Sequence, residues 1–481
     1  MLFNTIDFLW FFLFVVVIYF ALPHRFRWMF LLAANYYFYM QWNAKYAILI
    51  LLSTIIDYTA AIWMERVEER NVKRRILMLS LLGNLGMLFV FKYYNFAVGT
   101  INIVNQWVWD LPQLPYHQFL LPVGISFYTF QTLSYTLDVY MGKRKPEKHF
   151  GLFALYVSFF PQLVAGPIER STRLLPQFHQ VKKFRWENVH PGMHQILVGL
   201  IKKVVIADRL AILVNTVYGD IAGHTGAELA VATLAYGFQI YCDFSGYSDI
   251  AIGTARILDF DLMTNFNRPY LARSVGEFWH RWHISLSTWF RDYVYIPLGG
   301  SKGSELKSVT NLLIVFAISG VWHGAAYNFI IWGLLNGLYL LIERYWLGGI
   351  YKRLEERYLE SWTISVLQTG ITFTLIWFSW IFFRSPTLKE AFEIIETIVT
   401  KFSFLRLSTL GLGKPDLIVG LVSVVLLMVI ELFKEMKIEV ISVLRDPYVA
   451  KVFIFYLMVF TLILFGVYGD YDANQFIYFV F

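Results

Sequence analysis

Apolar runs of about the length that crosses a lipid hydrocarbon layer recur along this chain, and they leave it few possible folds. Inside lipid every backbone N–H and C=O must be satisfied without water, so only helices and closed barrels span. Runs of roughly 20 residues select the helix. Five come first, near residues 5–22, 27–41, 45–63, 76–98 and 119–140, and later ones fall near 193–216, 228–256, 362–383, 415–432 and 452–468. Only 16% of the 481 residues are charged and 57% are hydrophobic, against about a quarter charged in a soluble domain. Too few polar side chains remain to face water. The expected fold is all-α, a polytopic integral membrane protein of about 10–12 transmembrane helices with re-entrant segments.

The net charge of +7 does not point to nucleic acid, because the basic residues sit in short clusters between apolar runs. His24 to Arg27, Glu65 to Arg75 and Gly142 to His149 are basic, while Gln41 to Ala44 and 99–118 are nearly uncharged. The positive-inside rule then puts the N-terminus outside and those basic loops in the cytoplasm. Asn4 and Asp7 stand where a signal peptide would carry basic residues, so the first run reads as a retained span. The stretch Glu343 to Glu360 and the loop with Lys434, Lys437, Arg445 and Lys451 are also basic, and Gly469-Asp470-Tyr471-Asp472 is acidic, which favours an external C-terminus. Cys242 is the one cysteine, which excludes an intrachain disulfide and a cysteine metal cage.

The middle of the chain breaks the pattern. Leu152 to Gly166 is apolar but is followed by the basic stretch Arg170 to Arg185, so this segment is expected to enter the membrane and return. Residues 257–310 are polar, basic and aromatic, and too long for a simple connector. Their expected place is a cytoplasmic-side cavity built partly of re-entrant backbone. By parity the nearly uncharged stretch Thr310 to Ile342 starts and finishes on the cytoplasmic side, with a break near Gly320-Val321-Trp322-His323-Gly324.

Three groups can do chemistry. An ionisable His323 among apolar residues is costly and by default suggests a functional site, and imidazole changes protonation near neutral pH. A buried histidine bonded to a carbonyl is the structural alternative. The glycines beside it would let another backbone or a substrate come close. In Glu277-Phe278-Trp279-His280-Arg281-Trp282-His283-Ile284-Ser285, a helix would put His280 and His283 on one face. No third ligand stands at a convincing spacing, so no metal site is expected. Arg281 and Arg291 could grip an anionic head group or a cofactor phosphate, or serve as interface anchors. Asp243 and Asp249, inside a span, must pair or line a cavity, with Arg256 or Arg273 as partners in a structural polar network.

The order of four segments carries a resemblance: Phe160-Pro161-Gln162-Leu163-Val164-Ala165-Gly166-Pro167-Ile168, Asp243-Phe244-Ser245-Gly246-Tyr247-Ser248-Asp249, Phe278 to Ser287, and Gly320 to Gly324. With them the chain resembles the membrane-bound O-acyltransferase superfamily, in the branch that O-acetylates bacterial polysaccharides such as alginate. The resemblance implies one membrane domain, with N-terminal helices at 1–141, a catalytic core at 142–342, C-terminal helices at 343–481 and a central tunnel. It implies His323 and His283 as catalytic residues, with Arg281, Arg291 and His280 toward the donor. It implies acetyl-CoA as acyl donor with no permanently bound cofactor, a multi-pass place in the cell inner membrane, and an extracytoplasmic acetyltransferase partner with a glycan acceptor. D-alanyl-type transfer to a cell-wall polymer is the nearest alternative. From another class, a transporter or flippase would use His323 and Asp243 as proton or cargo sites.

Overall fold

The computed structural model describes residues 1–109, 111–357, 360–438, 447–469 and 476–477. Among these every regular element is helical. Five helical stretches are long and apolar enough to cross a membrane, His24–Arg66, Arg70–Val108, Glu305–His323, Ser361–Arg384 and Lys414–Glu435. The chain is an all-α, multi-pass membrane protein. Arg445 and the acidic residues Asp470 to Asp472 lie outside the described residues.

Two compact units divide it, residues 1–193 with 251–263, and residues 194–250 with the chain from 264 onward. The first begins with α1 (Ile6–Ala21), α2 (His24–Asn43), α3 (Ala47–Arg66), α4 (Arg70–Leu88), α5 (Tyr94–Val104) and α6 (Ile125–Tyr140). Pro23 stops α1 and opens α2, since proline suits a helix start but not an interior. Helix α6 starts after Gly124, at φ 77°, where a Cβ would lie 2.8 Å from the Leu163 carbonyl oxygen. Only glycine fits that turn. The segment expected to enter and return is α7 (Phe150–Ser158) and α8 (Phe160–Leu163), broken at Phe159 ahead of Pro161. Nine residues rise only about 14 Å, less than half of a hydrocarbon layer. Then come α9 (Ser171–Phe178) and the first part of α10 (Trp186–Leu200).

A carboxylate that sequence reading passed over ties α3, α4 and α6 together. Asp57 is fully buried. Its Oδ1 accepts from Ser80 Oγ (2.5 Å) and Thr136 Oγ1 (2.8 Å), and its Oδ2 from Asn84 Nδ2 (3.0 Å). Three donors from two neighbouring helices satisfy it, so this intramembrane acid is structural. Asp57→Ala would strand those donors, at a cost of about 1–3 kcal/mol. A lowered melting temperature of the purified protein, with catalysis per folded molecule unchanged, is the expected result.

The second unit holds α11 (Asp208–Gly219), most of α12 (Gly226–Ile257), α13 (Val275–Arg281), α14 (Ile284–Phe290), α15 (Glu305–His323) and α16 (Tyr327–Ile342). It continues with α17 (Gly348–Arg357), α18 (Ser361–Arg384), α19 (Leu388–Thr400), α20 (Lys414–Glu435) and α21 (Pro447–Phe465). Helix α19 was not among the expected spans. It is amphipathic, capped by Thr387 and buried through Ala391, Ile394 and Thr397. The expected break near His323 falls at residues 324–326, and α15 and α16 fold back on each other as an antiparallel pair. A Cβ on Gly320 would lie 2.3 Å from the Phe329 carbonyl oxygen, and one on Gly333 2.2 Å from that of Phe316. The glycine beside His323 is thus spent on close helix packing.

Candidate active site

Residues 258–274 run without a long helix, and α13 and α14 are seven residues each. What fixes this irregular backbone is pairing between two loops. The Asn267 N–H donates to the Arg281 carbonyl (2.9 Å), and the Ile284 N–H to the Asn265 carbonyl (2.9 Å). Between those bonds His283 takes a left-handed conformation, φ 44° and ψ 54°. For a non-glycine residue this costs on the order of 1–3 kcal/mol and marks a position held for a purpose. The expected common helical face of His280 and His283 does not form, because α13 ends at Arg281 and its cap lies between them.

His283 is 1% exposed. The Ser285 backbone N–H donates to Asn265 Oδ1 (3.2 Å), and Ser285 Oγ donates to the same atom (2.9 Å). A backbone N–H can only donate, so this atom is the amide oxygen. His283 Nδ1, 3.1 Å from it, is therefore the protonated nitrogen, and Nε2 carries the lone pair. Asn265 Nδ2 in turn donates to Ser248 Oγ (3.3 Å). Phe244 meets the imidazole edge-on at 4.6 Å. Burial pushes the His283 pKa down to about 3, so the ring is neutral at physiological pH. Asn265 was missed in the sequence, where nothing separates it from the other polar residues of 257–310.

His323 ends α15 and is 3% exposed. Its ring stands edge-on to Trp322 and Trp332, each at 4.9 Å, and to Phe383 at 5.2 Å. Trp322 also lies 6.1 Å from the His283 ring. The two histidines, forty residues apart in sequence, thus share Trp322 as a neighbour. Among the described residues the buried Trp332 indole N–H has no hydrogen-bond partner. A buried donor left open beside an imidazole asks for an explanation.

The remaining residues singled out from sequence are placed differently. Arg281 is held by Glu277 (2.5 Å) and Glu435 (2.8 Å), and Glu435 also takes Arg268 (2.9 Å). That guanidinium is engaged with acids of its own unit. Arg291 pairs with Asp292 (2.8 Å) and is half exposed. His280 is exposed, and its Nδ1 lies 2.7 Å from the Gly276 carbonyl.

Asp243 pairs with neither expected arginine. Lys203 Nζ lies 2.6 Å from Asp243 and 2.8 Å from Asp208, and Lys202 Nζ lies 2.8 Å from Asp249. Both lysines stand in a wide π-helical segment, Ile201–Ala207, just before α11. Gly199 and Gly246 let that segment and α12 touch backbone to backbone, since a Cβ on Gly199 would lie 2.5 Å from the Gly246 carbonyl oxygen. The other Asp243 oxygen accepts the Ile477 N–H (2.8 Å). These carboxylates serve packing.

Known proteins resemble this chain over most of its length. Residues 149–381 match the membrane-bound O-acyltransferase family. A probable alginate O-acetylase of Pseudomonas aeruginosa is 38% identical over 410 residues, covering 84% of this chain and 75% of that protein. A peptidoglycan O-acetyltransferase of Helicobacter pylori is 35% identical, covering 77% and 73%. A teichoic acid D-alanyltransferase of Bacillus subtilis is 29% identical, covering 56% and 71%.

Proposed function

The chain belongs to the membrane-bound O-acyltransferase family, and from that membership we propose that it moves an acetyl group from cytoplasmic acetyl-CoA to a hydroxyl outside the cell inner membrane. The acceptor is a polysaccharide or cell-wall polymer, or a serine of an extracytoplasmic partner that passes the acetyl on. Relatives acting on alginate and peptidoglycan support the acetyl reading, being more similar and covering more of the chain than the D-alanyl one. The observation that carries the chemistry is the pair of buried histidines that share Trp322 as a neighbour.

In this mechanism the acceptor oxygen attacks the thioester carbonyl carbon while His323 takes its proton. The resulting oxyanion needs a donor. Neutral His283 cannot supply one from Nε2, because its proton is on Nδ1 facing Asn265; it instead positions Trp322, the indole that packs against His323. The Trp332 N–H is suited to the oxyanion. Collapse breaks the C–S bond, and the departing thiolate takes the proton back from His323. The aromatic walls keep water, the competing acceptor, away.

The test is purified protein in lipid nanodiscs, supplied with acetyl-labelled CoA and a soluble glycan acceptor or partner domain. Label transferred to acceptor supports the reading. Uptake of intact substrate by reconstituted vesicles, without transfer, would favour a transporter and sink it. His283→Ala and Asn265→Ala should each lower transfer, by about 10–10²-fold, less than loss of the base itself. Trp332→Phe, which keeps a ring but removes the N–H, should lower the rate by about 10²-fold at unchanged donor affinity. Wild-type turnover in that variant would remove Trp332 from the mechanism.

A further inference from the structure

Of the 22 residues of α20 only Gly420 and Glu431 are buried, so the one side chain this helix submerges is an acid. Glu431 and Glu435 stand four residues apart, on one face of the helix, and both reach the two loops that pin His283. Glu435 does so directly. Its carboxylate takes the Arg281 guanidinium at two points, Nη2 to Oε1 (2.8 Å) and Nη1 to Oε2 (3.1 Å), and Arg268 Nε lies 2.9 Å from Oε2. Two-point charged bonds of this kind are strong and fix direction as well as distance. Arg281 Nη1 also donates to the Arg268 carbonyl (3.4 Å). Arg268 lies in the irregular stretch 258–274 and Arg281 ends α13, so one carboxylate joins the two backbones whose pairing holds His283. Glu431 reaches the same loops through Tyr241, whose hydroxyl donates to it. The Tyr241 ring lies 6.0 Å from Phe266 and 6.0 Å from Trp282, which sit between Asn265 and Asn267 and between Arg281 and His283. Arg268 (φ 48°) and His283 (φ 44°) are both left-handed. Non-glycine residues hold that conformation only where their surroundings over-determine it.

We propose that Glu435 is a positioning residue for acyl transfer: with Arg268 and Arg281 it clamps the two loops in the strained conformation that sets His283 against Asn265 and Trp322. The positioning role rests on the acetyl-transfer reading; the clamp itself does not. Glu435 bonds to the two arginines and acts through them. Glu277, the other acid on Arg281 (2.5 Å), cannot take its place, because it stands on α13 with Arg281 and ties that helix only to itself. Without Glu435 the two guanidiniums lose their shared counter-charge and the loops lose the bond that spans them. His283 is then free to leave Asn265, and Trp322 loses a fixed neighbour beside His323. A misplacement of about 1 Å near the reacting groups costs up to about 10²-fold in rate.

The measurement pairs acetyl-transfer kinetics with hydrogen–deuterium exchange of the 265–284 amides, on the full chain in lipid nanodiscs. Glu435→Gln keeps the shape of the side chain and removes its charge. It should speed exchange across 265–284 by about tenfold or more. It should also lower kcat by about tenfold with KM for acetyl-CoA little changed. Glu435→Asp, which keeps the charge on a shorter arm, should recover part of both. Arg268→Gln should shift both readouts in the same direction. The double variant should be little worse than Glu435→Gln, because the two residues act as one unit. If Glu435→Gln does not fold, Arg268→Gln decides by the same two readouts. Unchanged exchange in a folded variant overturns the clamp. Faster exchange with wild-type kcat per folded molecule overturns the positioning role. Faster exchange in the variants of a chain whose wild type transfers no acetyl supports the clamp and removes the acetyl-transfer reading instead.

Discussion

His323→Ala is expected to lower acetyl transfer by about 10²–10⁴-fold, the range that a positioned general base supplies. The chain should still insert and purify as wild type does. His323 is walled by Trp322, Trp332 and Phe383, so alanine opens a cavity there as well as removing the proposed base. His323→Gln fills most of that space without a titratable nitrogen and separates the two effects. Both variants should lose transfer, with the glutamine protein melting nearer to wild type. Wild-type transfer by a folded glutamine variant would show that His323 packs the core and another group takes the proton.

Lys203→Met should have the largest effect on stability. It removes the ammonium from between Asp208 and Asp243, which are 1% and 3% exposed. Breaking one partner out of a buried ion cluster costs about 3–5 kcal/mol, since the remaining charges have neither water nor counter-ion. The loss should appear as a strong fall in melting temperature and in yield of monodisperse protein. A triple change, Lys203→Met with Asp208→Asn and Asp243→Asn, should recover much of it, because buried amides cost less than buried unpaired carboxylates. No recovery would mean that specific hydrogen bonds matter more than charge balance here, such as that from Ile477 to Asp243. The same experiment bears on the transport alternative. A carboxylate held by a lysine for packing has no cargo to carry, and the triple variant should keep transfer in proportion to folded protein.

Some of this was open to inspection in the linear chain. Charge scarcity and run length dictated membrane helices, and parity of the basic loops placed the turn beside His323. The interrupted segment at 152–166 followed from basic flanks on both sides, and the structure breaks it at Phe159. Partners were harder. Asp243 needs a cation, and proximity in sequence points to Arg256 or Arg273. The true partner, Lys203, sits inside what read as an apolar span, and only the Gly199–Gly246 contact brings it within reach. Of the two acids that hold Arg281, Glu277 is four residues away in sequence and Glu435 is 154. Pairings across such separations leave no local trace.

The sequence by itself determined that the chain is a bundle of membrane helices, because the water–lipid boundary acts on each segment's own composition. It also singled out His323 and His283, through the cost of a polar group among apolar neighbours and through a motif order that resembles a known family. Only the tertiary structure decided how the two histidines relate. Both rings pack against Trp322, Asn265 sets which His283 nitrogen carries the proton, and Trp332 packs edge-on against His323. Those relations depend on the close approach of α15 to α16 and on the two loops that pin His283. Distance and direction between remote residues are properties of packing, and packing is written in all of the chain at once.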